Sequence, residues 1–221
     1  MRDAFNDELD SILQGLADIS RDVNIAITRA TEALMTADRE LAEQVITDDA
    51  AIDTARELVE EKSFEVLSLQ QPVATDLRTI VASLRMVAEL ERMGDLSVHV
   101  AKIARLRVPI LAVPETSKPT IARMARVAED MTARVGVIIS ERDVDAARDL
   151  ARDDEEMDAL RRASLAQLLS ASWVHGVEPA VDLALLGRYY ERIADHAVSV
   201  ANRLVFIVTG ELVSAENTDP S

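Results

Sequence analysis

Cysteine is absent from this 221-residue chain, and only 3% of its residues are aromatic. Without cysteine there is no disulfide, no zinc–thiolate site and no thiol nucleophile. So few aromatic residues argue against a β-sandwich or barrel and for a core of leucine, valine, isoleucine and alanine. The six glycines and six prolines are few for this length, and most of them fall where a helical pattern ends. These absences favour an all-α protein.

Positive charge is also scarce. The chain has 24 Lys and Arg against 40 Asp and Glu, which gives a formal net charge of −16. Nucleic-acid binding needs clustered cations for phosphate contact, and an anionic membrane surface attracts basic segments, so both are disfavoured as partners. The charge suits metal cations or a protein with a basic surface.

Long apolar runs are missing as well. The longest, Leu204–Val208, is far below the ~20 residues of a membrane span. Residues 1–8 are acidic and lack the apolar stretch of a signal peptide. We therefore expect a cytoplasmic protein without a membrane span.

Apolar residues recur every three or four positions through most of the chain, which predicts six long helices. Thr36 or Asp38 is expected to cap the second helix, and Pro72 to open the third. Short turns between such long helices predict antiparallel neighbours. The helices are expected at about residues 3–35, 38–69, 72–106, 120–140, 143–172 and 179–209.

The two halves of the chain repeat each other. Asp38–Asp53 aligns without gaps with Asp143–Asp158, and Arg56 then matches Arg161. An internal repeat of this size indicates a duplicated three-helix unit. The predicted organisation is two tandem three-helix bundles of long antiparallel helices at residues 1–107 and 120–211, a Pro-rich linker at 108–119 and a polar tail at 212–221.

Each half carries two pairs of carboxylates spaced four residues apart. On a helix such a pair lies on one face, with Cβ atoms about 6 Å apart, and its charges repel unless a cation or a proton lies between them. Antiparallel packing of the second and third helices of each half would bring two pairs together. Four hard oxygen donors suit Fe, Mn, Mg, Ca or Zn. The candidate ligands are Asp49, Asp53, Glu91 and Asp95 in the first half and Asp154, Asp158, Glu191 and Asp195 in the second.

A single acidic pair is more often an ordinary solvated helix face, so the hypothesis of a site rests on the repetition. Helical position predicts that the second-half pair is open to solvent, because Glu191 and Asp195 lie opposite the apolar stripe of their helix. In the first half, apolar residues lie along the same line as Glu91 and Asp95, which predicts partial burial.

The three histidines differ in their expected roles. His99 continues the ridge of Glu91 and Asp95 and is a candidate nitrogen ligand, whereas Ser199 takes its place in the second half. His196 is expected to pack or to form a hydrogen bond. His175, in a loop beside Trp173, is not expected to be functional.

Three segments carry a resemblance to a known family: Pro-Val-Ala-Thr-Asp-Leu-Arg-Thr-Ile at 72–80, Leu90–Asp95 and Tyr190–His196. With the duplication, they make nearly the whole chain similar to the PhoU family of phosphate-transport accessory and regulatory proteins. The resemblance implies that the carboxylate motifs of the two bundles hold multinuclear iron or a related metal at the surface. Relatives often have Asn four residues after each motif Asp, where this chain has His99 and Ser199. The identity and occupancy of the metal therefore stay open.

The resemblance also implies a non-enzymatic negative regulator. Such a protein links the ATPase subunit of a phosphate ABC transporter to a sensor histidine kinase, and is peripheral to the inner membrane through these partners. We also expect a homodimer. Two alternatives stay open: a metal-dependent hydrolytic or redox enzyme, and a structural helical adaptor that binds no metal. The chain has no His-Glu-x-x-His, P-loop or Gly-x-Ser-x-Gly motif, which disfavours the enzyme.

Overall fold

The computed structural model describes the backbone of residues 2–211 and the side chains of 5–150 and 154–211. This part of the chain is helical and has no strand, which confirms the all-α prediction. The predicted polar tail lies outside the described residues. The helices are α1 (Arg2–Thr36), α2 (Arg39–Gln70), α3 (Thr75–Arg107), α4 (Lys118–Glu141), α5 (Val144–Leu168) and α6 (Val177–Thr209).

The second helix of each half begins at the same kind of cap. Asp38 accepts a hydrogen bond from the Leu41 amide at 3.0 Å, and Asp143 accepts one from the Ala146 amide at 2.9 Å. Each aspartate satisfies an amide that the first turn of a helix leaves unpaired. Of the two candidate caps for α2, the structure uses Asp38. The same N-cap hydrogen bond recurs at α5 in the second half.

The largest differences from the predicted helix bounds are at the end of α5 and the start of α3. Helix α5 ends at Leu168 rather than 172, because Ser170 donates its hydroxyl to the Gln167 carbonyl and the chain turns toward Trp173. Pro72 precedes α3, which begins only at Thr75.

Helix α4 begins at Lys118 and takes Pro119 into its first turn. The connection between the halves is therefore 108–117, slightly shorter than expected.

The six helices pack as two trios that share one core. Helices α1–α3 form the first bundle and α4–α6 the second, which agrees with the predicted pair of three-helix bundles. Helix α1 also packs against α4, and α3 against α6, so these four helices form a central four-helix group. Within the described residues, α2 and α5 each contact only the helices of their own bundle. Helices α2 and α5 therefore lie on the outside of the two bundles.

Polar groups join α3 and α6 within this central four-helix group. Glu89 accepts one hydrogen bond from Arg203 Nη2 at 2.9 Å and pairs with His196 Nδ1 at 2.7 Å. The hydrogen bond with His196, together with the one from Arg203, holds the pKa of Glu89 below its ordinary value. The expected hydrogen-bonding role of His196 is thus confirmed.

None of the helices within residues 2–211 has the length and apolarity needed to cross a membrane.

Candidate metal-binding clusters

The first carboxylate cluster lies where α2 packs against α3. Burial, followed by the charges of Asp95, Asp53 and Glu91, raises the pKa of Asp49 to about 6. Burial and the neighbouring Asp95 likewise raise the pKa of Glu91. Such mutual effects require the charges to be close, so the structure brings together the two pairs that the sequence placed on separate helices.

A glycine allows this close approach. A methyl group at Gly94 would lie 3.3 Å from Ile52 Cδ1 and 3.4 Å from Asp49 Oδ1. The corresponding residue of the second half is Ala194, which is buried. Gly94 therefore lets α2 lie closer to the motif of α3 than a larger side chain would permit.

Replacing the two buried helical glycines by alanine tests this packing. Gly187→Ala is expected to stabilise the protein by about 0.5–1 kcal/mol, because glycine is a poor helix former. The added Cβ would meet only Met124 Cε, at 3.8 Å. Gly94→Ala is expected to give no gain, since Ile52 and Asp49 must move aside. Urea unfolding measures both variants, and an equal gain at the two positions would contradict the role given to Gly94.

The second cluster lies at the equivalent place between α5 and α6. Burial and the charges of Asp195, Asp158 and Glu191 raise the pKa of Asp154 to about 6. Burial and Glu191 also raise the pKa of Asp195. Asp154 Oδ1 is buried and has no hydrogen-bond partner among the residues whose side chains the structure describes. This cluster therefore also assembles as the repeat predicted.

The predicted exposure of the second cluster is wrong for Glu191 and correct for Asp195. Asp195 is exposed, but Glu191 is buried, with 7% of its side chain accessible against 25% for Glu91. Arg161 of α5 and Arg188 of α6 both donate hydrogen bonds to Glu191 and cover it. The position of a residue on its own helix does not show whether long side chains from a neighbouring helix cover it.

The histidines contribute less to the clusters. The His99 ring stacks on Tyr189 of α6, with 5.3 Å between ring centroids, which is a contact outside the first cluster. His175 contacts Trp173 edge to face, as its loop position suggested, and lies 3.2 Å from the Thr116 hydroxyl.

Sequence reasoning missed the two arginines that bind Glu191. The signal was present in the repeat, because Arg188 stands where the first half has Ala88. The reach of Arg161 had no such signal, since Arg56 occupies the matching position in the first half.

The donor chemistry of both clusters fits a hard cation. Among the residues with described side chains, no three carboxylate or imidazole groups form a ready-made metal site. Each cluster nevertheless combines four carboxylates, one of which has its pKa raised to about 6. In the second cluster this carboxylate is Asp154, whose Oδ1 is buried and has no partner among the described side chains. A cation would relieve the repulsion after the more exposed carboxylates rotate inward.

The chain matches the model of a known protein family and several relatives from that family. The PhoU domain matches the chain twice, over residues 16–104 and 121–204. The phosphate-specific transport system accessory protein PhoU homolog 2 of Mycobacterium tuberculosis is 44% identical, over 95% of this chain and 99% of its own. PhoU homolog 1 of Mycobacterium leprae is also 44% identical, over 95% of each chain. The similarity therefore runs from end to end.

Solved structures agree with this similarity. The phosphate transport system regulatory protein PhoU of Streptococcus pneumoniae superposes with a TM-score of 0.85 at 26% identity, covering 95% of this chain and 99% of that one. PhoU of Pseudomonas aeruginosa has the same TM-score and identity, covering 94% of this chain and 100% of its own.

Proposed function

We propose that this protein, which belongs to the PhoU family, is an accessory protein and negative regulator of a phosphate-uptake system. It would act without catalysis, as an adaptor between the ATPase subunit of a phosphate ABC transporter and a sensor histidine kinase. The observation that carries the proposal is the end-to-end match to relatives named as phosphate-specific transport system accessory proteins. We further propose that it works as a homodimer in the cytoplasm, beside the inner membrane.

The outer helices supply a surface for such partners. Helix α2 has nine acidic and three basic residues, and α5 has seven acidic and four basic ones, so net charges of −6 and −3 lie on these two helices. Within the part of the chain that the structure describes, α2 and α5 pack only against their own bundles, so their outer faces are left for other proteins. Acidic faces of this kind attract basic surfaces and speed association at low salt.

The carboxylate clusters would bind a hard cation. Asp49, with Asp53, Glu91 and Asp95, would supply oxygen ligands in the first bundle, and the repeated set would do so in the second. A bound cation neutralises the repulsion within a cluster and thereby holds the outer helix against its bundle. This links the metal to the surface that partners would contact.

A binding experiment tests the adaptor role. The double variant Glu61→Lys, Glu65→Lys reverses two exposed charges on α2. We expect it to weaken binding to the purified ATPase subunit or to the kinase's cytoplasmic portion by at least tenfold at low salt, because like charges then face the basic partner. Surface plasmon resonance over a salt series measures the affinity and its salt dependence.

The matched control is Asp7→Lys, Asp130→Lys, which makes the same change in net charge on α1 and α4. It should bind within about threefold of the wild type. An absence of wild-type binding to both partners, at low salt and with Mn²⁺ present, would refute the adaptor. Equal losses in the two double variants would show that net charge, and not the α2 face, drives the association.

A further inference from the structure

The two clusters differ in a pair of arginines, although their carboxylates repeat. In the second cluster Arg161 Nη1 donates to Glu191 Oε1 at 2.8 Å, and Arg188 donates to the other oxygen of the same carboxylate. Both oxygens of Glu191 are therefore already bound to guanidinium groups. Among the described side chains, Glu91 in the first cluster has an ion pair within 4 Å only with Arg92, at 3.8 Å, and Arg56 acts on it from farther away.

The difference between Arg56 and Arg161 has a local cause. These arginines occupy matching positions, but Arg56 donates to Glu60 at 2.8 Å and lies 3.5 Å from Glu57. In the second half the residues matching Glu57 and Glu60 are Arg162 and Leu165, which offer no carboxylate. Arg161 is therefore free to reach across to α6, whereas Arg56 is held on α2.

The second arginine has no counterpart in the first half. Arg188 lies one turn before Glu191, and the residue one turn before Glu91 is Ala88, which is exposed. A guanidinium group in contact with a carboxylate competes for the same oxygen lone pairs as a metal ion and cancels part of the charge that attracts it.

We propose that Arg161 and Arg188 make the two clusters unequal, so that the first binds a hard cation preferentially and the second binds one only by displacing these arginines. The inference rests on the proposed cation binding of the clusters, and adds which cluster fills first and which residues decide it. The cation class is divalent or trivalent, with oxygen ligands.

Two reciprocal substitutions test the inequality, with Mn²⁺ alone as the probe. Ala88→Arg places a guanidinium group one turn before Glu91, and is expected to weaken the tighter Mn²⁺ site about tenfold. Arg188→Ala frees Glu191, and is expected to strengthen the weaker site about tenfold. Isothermal titration calorimetry gives both constants, and the electron paramagnetic resonance signal of free Mn²⁺ counts the ions bound by the full chain.

The controls change charge equally but away from both clusters. Ala133→Arg on α4 adds an exposed guanidinium group, and Arg105→Ala on α3 removes one; both should leave the two constants within about twofold of the wild type. Two equal sites in the wild type, with no effect of either substitution, would overturn the inequality while leaving cation binding intact. An absence of Mn²⁺ uptake in the wild type and in Arg188→Ala would overturn both the inequality of the clusters and their proposed cation binding.

Discussion

Arg107→Ala is expected to lower the free energy of unfolding by about 3 kcal/mol. Arg107 donates from Nε to Asp182 Oδ2 at 2.6 Å and from Nη2 to Asp182 Oδ1 at 3.0 Å, and it also binds Glu178. Only 4% of Asp182 is accessible. Removing the guanidinium group would leave a buried carboxylate without its partner, which costs far more than the loss of an exposed ion pair.

The loss of stability should be specific to the pair of Arg107 and Asp182, which joins the end of α3 to the start of α6. Arg105→Ala, in the same last turn of α3, removes an exposed guanidinium group and should change stability by less than about 0.5 kcal/mol. Asp182→Asn in the Arg107→Ala background should recover part of the loss by removing the buried charge. Urea unfolding followed by circular dichroism measures all of these variants, and similar values for Arg107→Ala and Arg105→Ala would contradict the buried pair.

The second large effect is expected from pH, through the carboxylate clusters. The pKa of Asp49 is raised from its ordinary 3.8 to about 6 in the folded protein, so the folded state binds more protons than the unfolded state between these values. Stability should therefore rise as pH falls from about 7.5 through 6 and toward 5, and be lost as pH rises again. Asp154 should add an effect of the same sign, since its pKa is raised in the same way.

Asp49→Asn should remove much of this dependence. The rise in pKa corresponds to ~3 kcal/mol if unscreened, and solvent screening at this partly buried group reduces it to ~1–2 kcal/mol. The variant should be more stable than the wild type by that amount at pH 7.5. The difference should shrink to about half at pH 5, because the two proteins become equal only below the unfolded pKa of 3.8. Urea unfolding in EDTA, which keeps cations from competing, measures the difference at both pH values.

The exposed carboxylate of Asp7 provides the control for this experiment. Asp7→Asn should leave the wild-type pH dependence unchanged within about 0.5 kcal/mol. The comparison should stay above about pH 5, because the lowered pKa of Glu89 acts in the opposite direction under more acidic conditions. A wild-type protein whose stability rises steadily from pH 5 to 7.5 would refute the raised carboxylate pKa values.

Helix positions were largely predictable because they depend on local periodicity. The apolar spacing places all six helices, and the caps at Asp38 and Asp143 act within their own first turns. The largest error, at the end of α5, arises where a side chain competes for the backbone, as Ser170 does just beyond this helix. Periodicity does not register such local competition.

The sequence by itself determined which carboxylates assemble, because their four-residue spacing and the duplication place them on facing helices. Only the tertiary structure decided which arginines neutralise the carboxylates of each cluster. Glu191 is buried and bound because Arg161 reaches it from another helix, whereas Arg56, at the matching position, is held by Glu60. The spacing of charges along one helix is a local property, but the choice among partners for a long, flexible arginine depends on every carboxylate within its reach.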